Sequence, residues 1–164
     1  MKVIIVAALT TDGFIGRNSS DVSTSWTSKE DKTFFVSKTK EIGTVIMGST
    51  TYETFGRPLK DRRHIVLSRT KTFDGVEMSK ESPIDLLSRL ENEGVKEVAI
   101  CGGSSIYTTF IEQNLVDKIY LTVEGVLFGD GVKFLSKETF VKMKLVSSTI
   151  LGENTILLEY DILK

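Results

Sequence analysis

Residues 2–9, Lys-Val-Ile-Ile-Val-Ala-Ala-Leu, are a nearly unbroken apolar run of strand length. A run without alternation suits a strand covered on both faces, as in a parallel sheet. Shorter runs of the same kind follow at 44–47, 64–67, 97–101 and 118–126, with a brief one at 76–78. Helical stretches lie between them at 27–40, 49–55, 82–93 and 104–113. The clearest is 82–93, where Ile84, Leu86, Leu87 and Leu90 make an apolar stripe, Pro83 stands near the start and Gly94 just past the end. The last third changes character. Residues 141–151 and 154–163 are strand-like runs separated by Gly152-Glu153, which predicts an antiparallel hairpin. Alternating β and α elements followed by a β-rich tail predict an α/β fold of three layers. Its centre is a mostly parallel sheet of about eight strands, with helices on both faces and the antiparallel hairpin at the C-terminal end. At 164 residues the chain has room for one domain, 1–164, with a real core.

Charge and composition narrow the function classes. The formal charge is -1 and no Lys/Arg block occurs, so no nucleic-acid partner is expected. No apolar run is long enough to span a bilayer. The opening Met-Lys-Val-Ile-Ile-Val-Ala-Ala-Leu imitates a short signal peptide but runs straight into the turn-like Thr-Thr-Asp-Gly, so it reads as a buried first strand. Cys101 and His64 each stand alone, which leaves no disulfide framework, no thiolate cluster and no expected metal. A cytoplasmic protein is the reading.

Candidate chemistry gathers in three places. Residues 10–25 are polar, with Gly13, Gly16 and a Ser/Thr-rich stretch at 19–25; a loop of this length in a compact domain tends to be functional or mobile. The segment Trp26-Thr27-Ser28-Lys29-Glu30-Asp31 reads as a helix start, with Thr27 and Glu30 as a capping box. Asp31 is then left over on a face shared with Phe34 and Phe35. A carboxylate on an apolar face is either a satisfied structural acid or an acid placed to meet a ligand, and burial should raise its pKa in both cases. Finally, Gly48-Ser49-Thr50-Thr51 and Gly102-Gly103-Ser104-Ser105 each follow a strand and open a helix, where unpaired N–H groups favour phosphate. One such turn is commonly only a tight turn; two on one sheet edge suggest a ligand with more than one phosphate. Leu67-Ser68-Arg69, after the third strand, adds a hydroxyl and a cation suited to a further anionic group such as a 2′-phosphate. The dinucleotide fingerprint and the Walker pattern are both absent.

In this order and spacing the residues resemble dihydrofolate reductase nearly end to end. The resemblance is carried by Ala7-Ala8-Leu9 with Asp12 and Ile15-Gly16, by Trp26 with Asp31 and Phe35, and by Val45-Ile46-Met47-Gly48. It continues through Thr51-Tyr52-Glu53-Thr54-Phe55-Gly56-Arg57-Pro58-Leu59, Arg62, Ile65-Val66-Leu67-Ser68-Arg69, Gly102-Gly103 with Ile106-Tyr107, Tyr120-Leu121-Thr122, and Gly129-Asp130 before Phe134. These motifs are specific for the fold and less so for the substrate, because the pyrimidine reductase of the riboflavin pathway shares it. The resemblance implies hydride transfer from NADPH to C6 of dihydrofolate while N5 gains a proton. Asp31 is implied as the pocket acid, with Thr122 hydrogen-bonding near it and Trp26 holding a water beside it. Val6, Ala8, Phe35, Phe55 and Leu59 would line the substrate, and Arg62 would pair with the glutamate α-carboxylate. Residues 10–25 would form the lid. The cofactor would meet Ala8, Ile15, Gly16, Gly48, Ser49, Thr50, Thr51, Leu67, Ser68, Arg69 and the run Cys101, Gly102, Gly103, Ser104, Ser105, Ile106 and Tyr107. The Gly102-Gly103 pair matches the family's cis peptide. A monomer is implied, with a homodimer the alternative.

The chain also departs from that pattern. The lid carries about three extra residues between Asn18 and Trp26 and lacks the proline common before the tryptophan. Lys32 follows the acid where the family has an apolar residue; its stem can cover apolar surface while its ammonium reaches water. Ser49 and Ser105 stand where cations for cofactor phosphates are usual, which leaves Arg69 to carry a preference for NADPH. The Lys32 neighbourhood and the polar lid lean toward a pyrimidine reductase of the riboflavin pathway or a related orphan reductase, and a nucleotide-binding or interaction module that keeps the fold is a third reading, disfavoured by Asp31 and both glycine turns. The Gly-Arg-Pro-Leu segment, Arg62 and Thr122 favour dihydrofolate reductase.

Overall fold

The computed structural model describes all residues 1–164. Its strands are β1 (Lys2–Thr10), β2 (Phe14–Gly16), β3 (Thr44–Gly48), β4 (Arg63–Leu67), β5 (Glu77–Ser79), β6 (Glu97–Ile100), β7 (Lys118–Glu124), β8 (Val132–Lys133), β9 (Met143–Gly152) and β10 (Thr155–Ile162). The α-helices are α1 (Lys29–Ile42), α2 (Ser49–Phe55), α3 (Pro83–Asn92) and α4 (Ser104–Glu112). Eight strands form one sheet in the order β5-β4-β3-β6-β1-β7-β10-β9. All pairings from β5 through β7 are parallel; β10 then runs antiparallel to both β7 and β9. The predicted mostly parallel sheet and C-terminal hairpin are therefore present. No helix is long and apolar enough to cross a membrane.

The unbroken apolar runs have their expected cause. Along β1, Val3, Ile5 and Ala7 pack with Leu86, Leu90 and Phe110 of α3 and α4 on one face. Ile4 and Val6 pack with Val45, Met47 and Tyr52 on the other, backed by Phe34, Phe35 and Phe55 of α1 and α2. Successive side chains of a strand point to opposite faces, so a strand between two helical layers must be apolar at every position.

The structure differs from the sequence reading at two points. The polar stretch 10–25 is not all loop: β2 pairs with β8 in a small two-stranded sheet, and Ser23–Ser25 form a 3-10 turn. The start of α1 also differs. Its N-cap is Ser28, whose Oγ accepts from the Asp31 N–H at 3.0 Å, rather than Thr27. The Thr27 N–H is already given to the Ser23 carbonyl in the 3-10 turn, so Glu30 has no donor to reach back to. Glu30 instead lies over Gly152, where an added Cβ would sit 2.9 Å from its Cδ.

Candidate functional site

A cavity of about 920 Å³ opens beyond the carboxyl ends of β1, β3 and β6. That edge is where an open α/β sheet binds ligands. Asp31 lines the cavity from the first turn of α1 and is itself 8% exposed. The Thr122 hydroxyl, on β7, donates a hydrogen bond to the Asp31 carboxyl oxygen. Burial pushes the Asp31 pKa up, opposed by the Thr122 hydrogen bond and reinforced by the charge of Glu124. The result is an acid with a proton affinity above that of an ordinary aspartate, at the floor of a cavity large enough for two small molecules.

One wall of the cavity is apolar. Val6, Ala7 and Ala8 come from β1, Phe35 and Val36 from α1, Phe55 from α2, and Leu59 from the turn after it. Phe35 and Phe55 stack with centroids 6.0 Å apart. The opposite side is built from the starts of α2 and α4. Gly48 and Gly103 are the respective N-caps, and neither supplies a side-chain cap. The first-turn residues Ser49, Thr50, Thr51, Ser104, Ser105 and Ile106 all line the cavity. The Gly102–Gly103 peptide is cis and Gly102 has φ +116°. A Cβ on Gly103 would meet Thr51 Oγ1 at 3.0 Å, and one on Gly48 would meet Ile106 Cγ1 at 3.0 Å. Backbone therefore approaches the cavity where side chains would fill it, next to helix starts whose N–H groups have no capping side chain. Ile15, Gly16, Cys101 and Tyr107 complete this side. Burial drives the Cys101 thiol up to about 12, so it stays an unreactive thiol.

Other residues singled out in the sequence lie off the cavity lining. Thr122 acts from behind Asp31. Trp26 packs edge-on against Phe128 at 5.2 Å, with its indole N–H buried and without a protein partner. Arg62 donates from Nη1 to Thr39 Oγ1 at 2.8 Å and from Nε to the Lys60 carbonyl at 2.8 Å. Leu67 packs into the core, Ser68 Oγ accepts from the Lys71 N–H at 2.9 Å, and Arg69 is exposed. Conversely, the cavity is lined by residues to which the sequence assigned no binding role, including Val36, Thr54, Arg57 and Lys133. Val36 lies four residues after Lys32, which also lines the cavity, so helical spacing alone could have found it. Lys133 had no such signal, because it belongs to a two-residue strand.

Comparison with known proteins follows the same lines. A family profile described as Dihydrofolate reductase matches residues 2–145. The chain belongs to the dihydrofolate reductase family. A dihydrofolate reductase of Staphylococcus haemolyticus is 30% identical over 141 residues, covering 82% of this chain and 80% of its own. Among solved structures, a pyrimidine reductase-like protein from Corynebacterium diphtheriae superposes with TM-score 0.85 at 14% identity, over 99% of this chain and 92% of the other. A dihydrofolate reductase from Enterococcus faecalis, solved in complex with NADP(H), gives TM-score 0.78 at 24% identity over 99% and 97%. Membership of this family makes the chain an oxidoreductase of the dihydrofolate reductase type, and its fold is shared with the pyrimidine reductase-like protein.

Proposed function

We propose that this chain reduces 7,8-dihydrofolate to tetrahydrofolate, with NADPH as the hydride donor. The observation that carries the reading is Asp31, a buried carboxyl group of raised proton affinity next to the apolar residues Val6, Phe35, Phe55 and Leu59 of the cavity. The residues on the other side fit a dinucleotide: two helix starts without side-chain caps, and three glycines at which a Cβ would fill the space. When bound there, NADPH supplies a hydride to C6 of the pterin. Asp31 hydrogen-bonds the pterin 2-amino group and N3 and promotes protonation of N5, so one hydride and one proton are added in all. Thr122 fixes the Asp31 carboxyl from β7. Phe35, Phe55, Leu59 and Val6 hold the ring system and exclude water, which strengthens each polar contact inside. Trp26 has a buried indole N–H without a protein partner, which suits a bound water. Arg62 has no carboxylate partner, and its Nη2 is left for the α-carboxylate of the substrate tail.

A second reading is a pyrimidine reductase of the riboflavin pathway. It is favoured by Lys32, which lines the cavity beside Asp31 and makes no ion pair, as a cation facing a phosphorylated sugar chain would. The discriminating assay follows loss of reduced nicotinamide absorbance with dihydrofolate and, separately, with the riboflavin-pathway pyrimidine. Turnover of dihydrofolate is expected; turnover of the pyrimidine alone would replace the first reading by the second.

A further inference from the structure

Glu124 ends β7 two residues after Thr122, on the same face of the strand. It is 3% exposed and does not line the cavity. Its Oε1 accepts from the Ser28 N–H at 2.9 Å and from the Ser28 hydroxyl at 2.8 Å. Its Oε2 accepts from the Thr155 hydroxyl at 2.8 Å. Ser28 is the N-cap of α1, and its Oγ in turn accepts from the Asp31 N–H. Two side chains of one strand thus grip one helix turn: Thr122 holds the carboxyl group of Asp31, and Glu124 holds the cap behind its backbone.

An isolated carboxylate buried this deeply is costly unless it is hydrogen-bonded, and this one accepts at both oxygens from three donors. Its place at the first turn of a 14-residue helix also opposes the helix dipole favourably. A core this close to a strand end can be closed with apolar side chains alone, so packing does not by itself call for a carboxylate here. What distinguishes the position is its neighbour. The groups that face Asp31 are Thr27 and Lys32 from its own segment, Thr122 and Glu124 from β7, and Tyr107 from α4. Glu124 is the only acid among them.

We propose that Glu124 is a positioning residue for Asp31: through Ser28 it fixes the first turn of α1, and it sets a second buried carboxyl group facing that of Asp31. The proposal rests on the reading of Asp31 as the pocket acid. Glu124 touches neither substrate nor cofactor in that reading and acts only through Asp31. Removing its charge while keeping its shape leaves Asp31 a stronger acid, with less of it protonated at neutral pH.

The test combines two measurements on the whole chain. A carboxyl-carbon NMR titration of the ligand-free protein follows Asp31, its signal assigned with Asp31→Asn. Hydride transfer from NADPH to dihydrofolate is followed in single turnovers across pH. In Glu124→Gln the Asp31 midpoint is expected to fall by about half a unit to one unit, and the hydride rate at neutral pH by about three- to tenfold, with NADPH affinity unchanged. A purely structural role would lower the melting temperature and leave the midpoint where it is, which overturns the proposal. Ser28→Ala keeps the Glu124 charge and the backbone N–H bond to it, and removes the hydroxyl that joins Glu124 to the Asp31 N–H. Its hydride rate and the amide-exchange protection of residues 29–32 are expected to fall; if both stay at the wild-type level, the positioning role is wrong even should Glu124→Gln not fold. Failure of the functional reading looks different. The wild-type chain then transfers no hydride to dihydrofolate, while the Asp31 titration still decides the part played by Glu124.

Discussion

Burial drives both Asp31 and His64 toward their neutral forms, and because one is an acid and the other a base their pH behaviour is opposite. Asp31 has a raised pKa, so its contribution to stability is present below the ordinary aspartate range and is lost as pH rises through its folded value. The ionised form of Asp31 is therefore a cost that the fold carries for the site. Asp31→Asn is expected to stabilise the protein by about 0.5–2 kcal/mol while removing about 100-fold or more of the turnover at neutral pH. Thermal melts and steady-state rates check the pair of effects together; a variant that loses stability along with activity contradicts it. His64 is 4% exposed, accepts the Leu59 N–H at its Nδ1 (3.3 Å), and packs edge-on against Tyr52. Burial and the Arg62 charge lower its pKa from 6.5 to about 4. Its stability contribution is full above 6.5 and is lost as pH falls through about 4, at up to about 1.4 kcal/mol per pH unit. His64→Gln, which can still accept from Leu59, is expected to flatten the decline in melting temperature across that window. Arg62 illustrates what residue identity alone leaves open. Its type was legible as an anion partner, but its tether to Thr39 and Lys60 depends on where α1 ends and β4 begins.

Elements long enough to show a period were legible, and short ones were not. The runs behind β1, β3, β4 and β6 stood out because both faces of each buried strand must be apolar, whereas the hairpin, whose β9 is largely exposed, stood out by the Gly152-Glu153 turn between two strand-like runs. β2 and β8 have three and two residues, too few for any alternation to register. Their pairing is set by a close backbone approach instead. Gly131 has φ +152°, and a Cβ there would stand 2.5 Å from the Gly16 carbonyl oxygen. Because that neighbour is backbone, it cannot rotate away. Gly131→Ala is expected to force β8 off β2 at a cost of about 1–3 kcal/mol and to weaken cofactor binding, since Gly16, Gly131 and Val132 all line the cavity. A melt together with a fluorescence titration using NADPH checks both; unchanged affinity would separate the small sheet from the cofactor side. The start of α1 departs from the capping-box pattern for a related reason. A capping box is a local pattern, whereas the choice of Ser28 over Thr27 was made by the 3-10 turn before it and by Glu124, 96 residues away.

At the scale of the whole molecule, the cavity lies where the strand order turns back on itself, with β6 between β3 and β1. A ligand there touches the starts of α1, α2 and α4 and the β2–β8 sheet together, so its binding energy should appear as global stability. At about 100 times its dissociation constant a ligand adds about 2.7 kcal/mol, which for a chain of this size raises the melting temperature by about 5–10 °C. NADPH is expected to produce such a shift. NADH differs from it only by the missing 2′-phosphate and should produce a smaller one. The difference between the two cofactors rests on few cations. Ser49 and Ser105 are uncharged at the helix starts. Arg69 stands exposed just past the end of β4, next to β3, without an ion pair in the protein. Arg69→Ala is therefore expected to bring the NADPH shift down to that of NADH while leaving the NADH shift as it was. One charge-assisted contact to phosphate is worth on the order of tenfold in affinity, enough to separate the two curves. Should the variant keep the full difference between the cofactors, the 2′-phosphate is held elsewhere, and the exposed position of Arg69 is only that of a solvated loop cation.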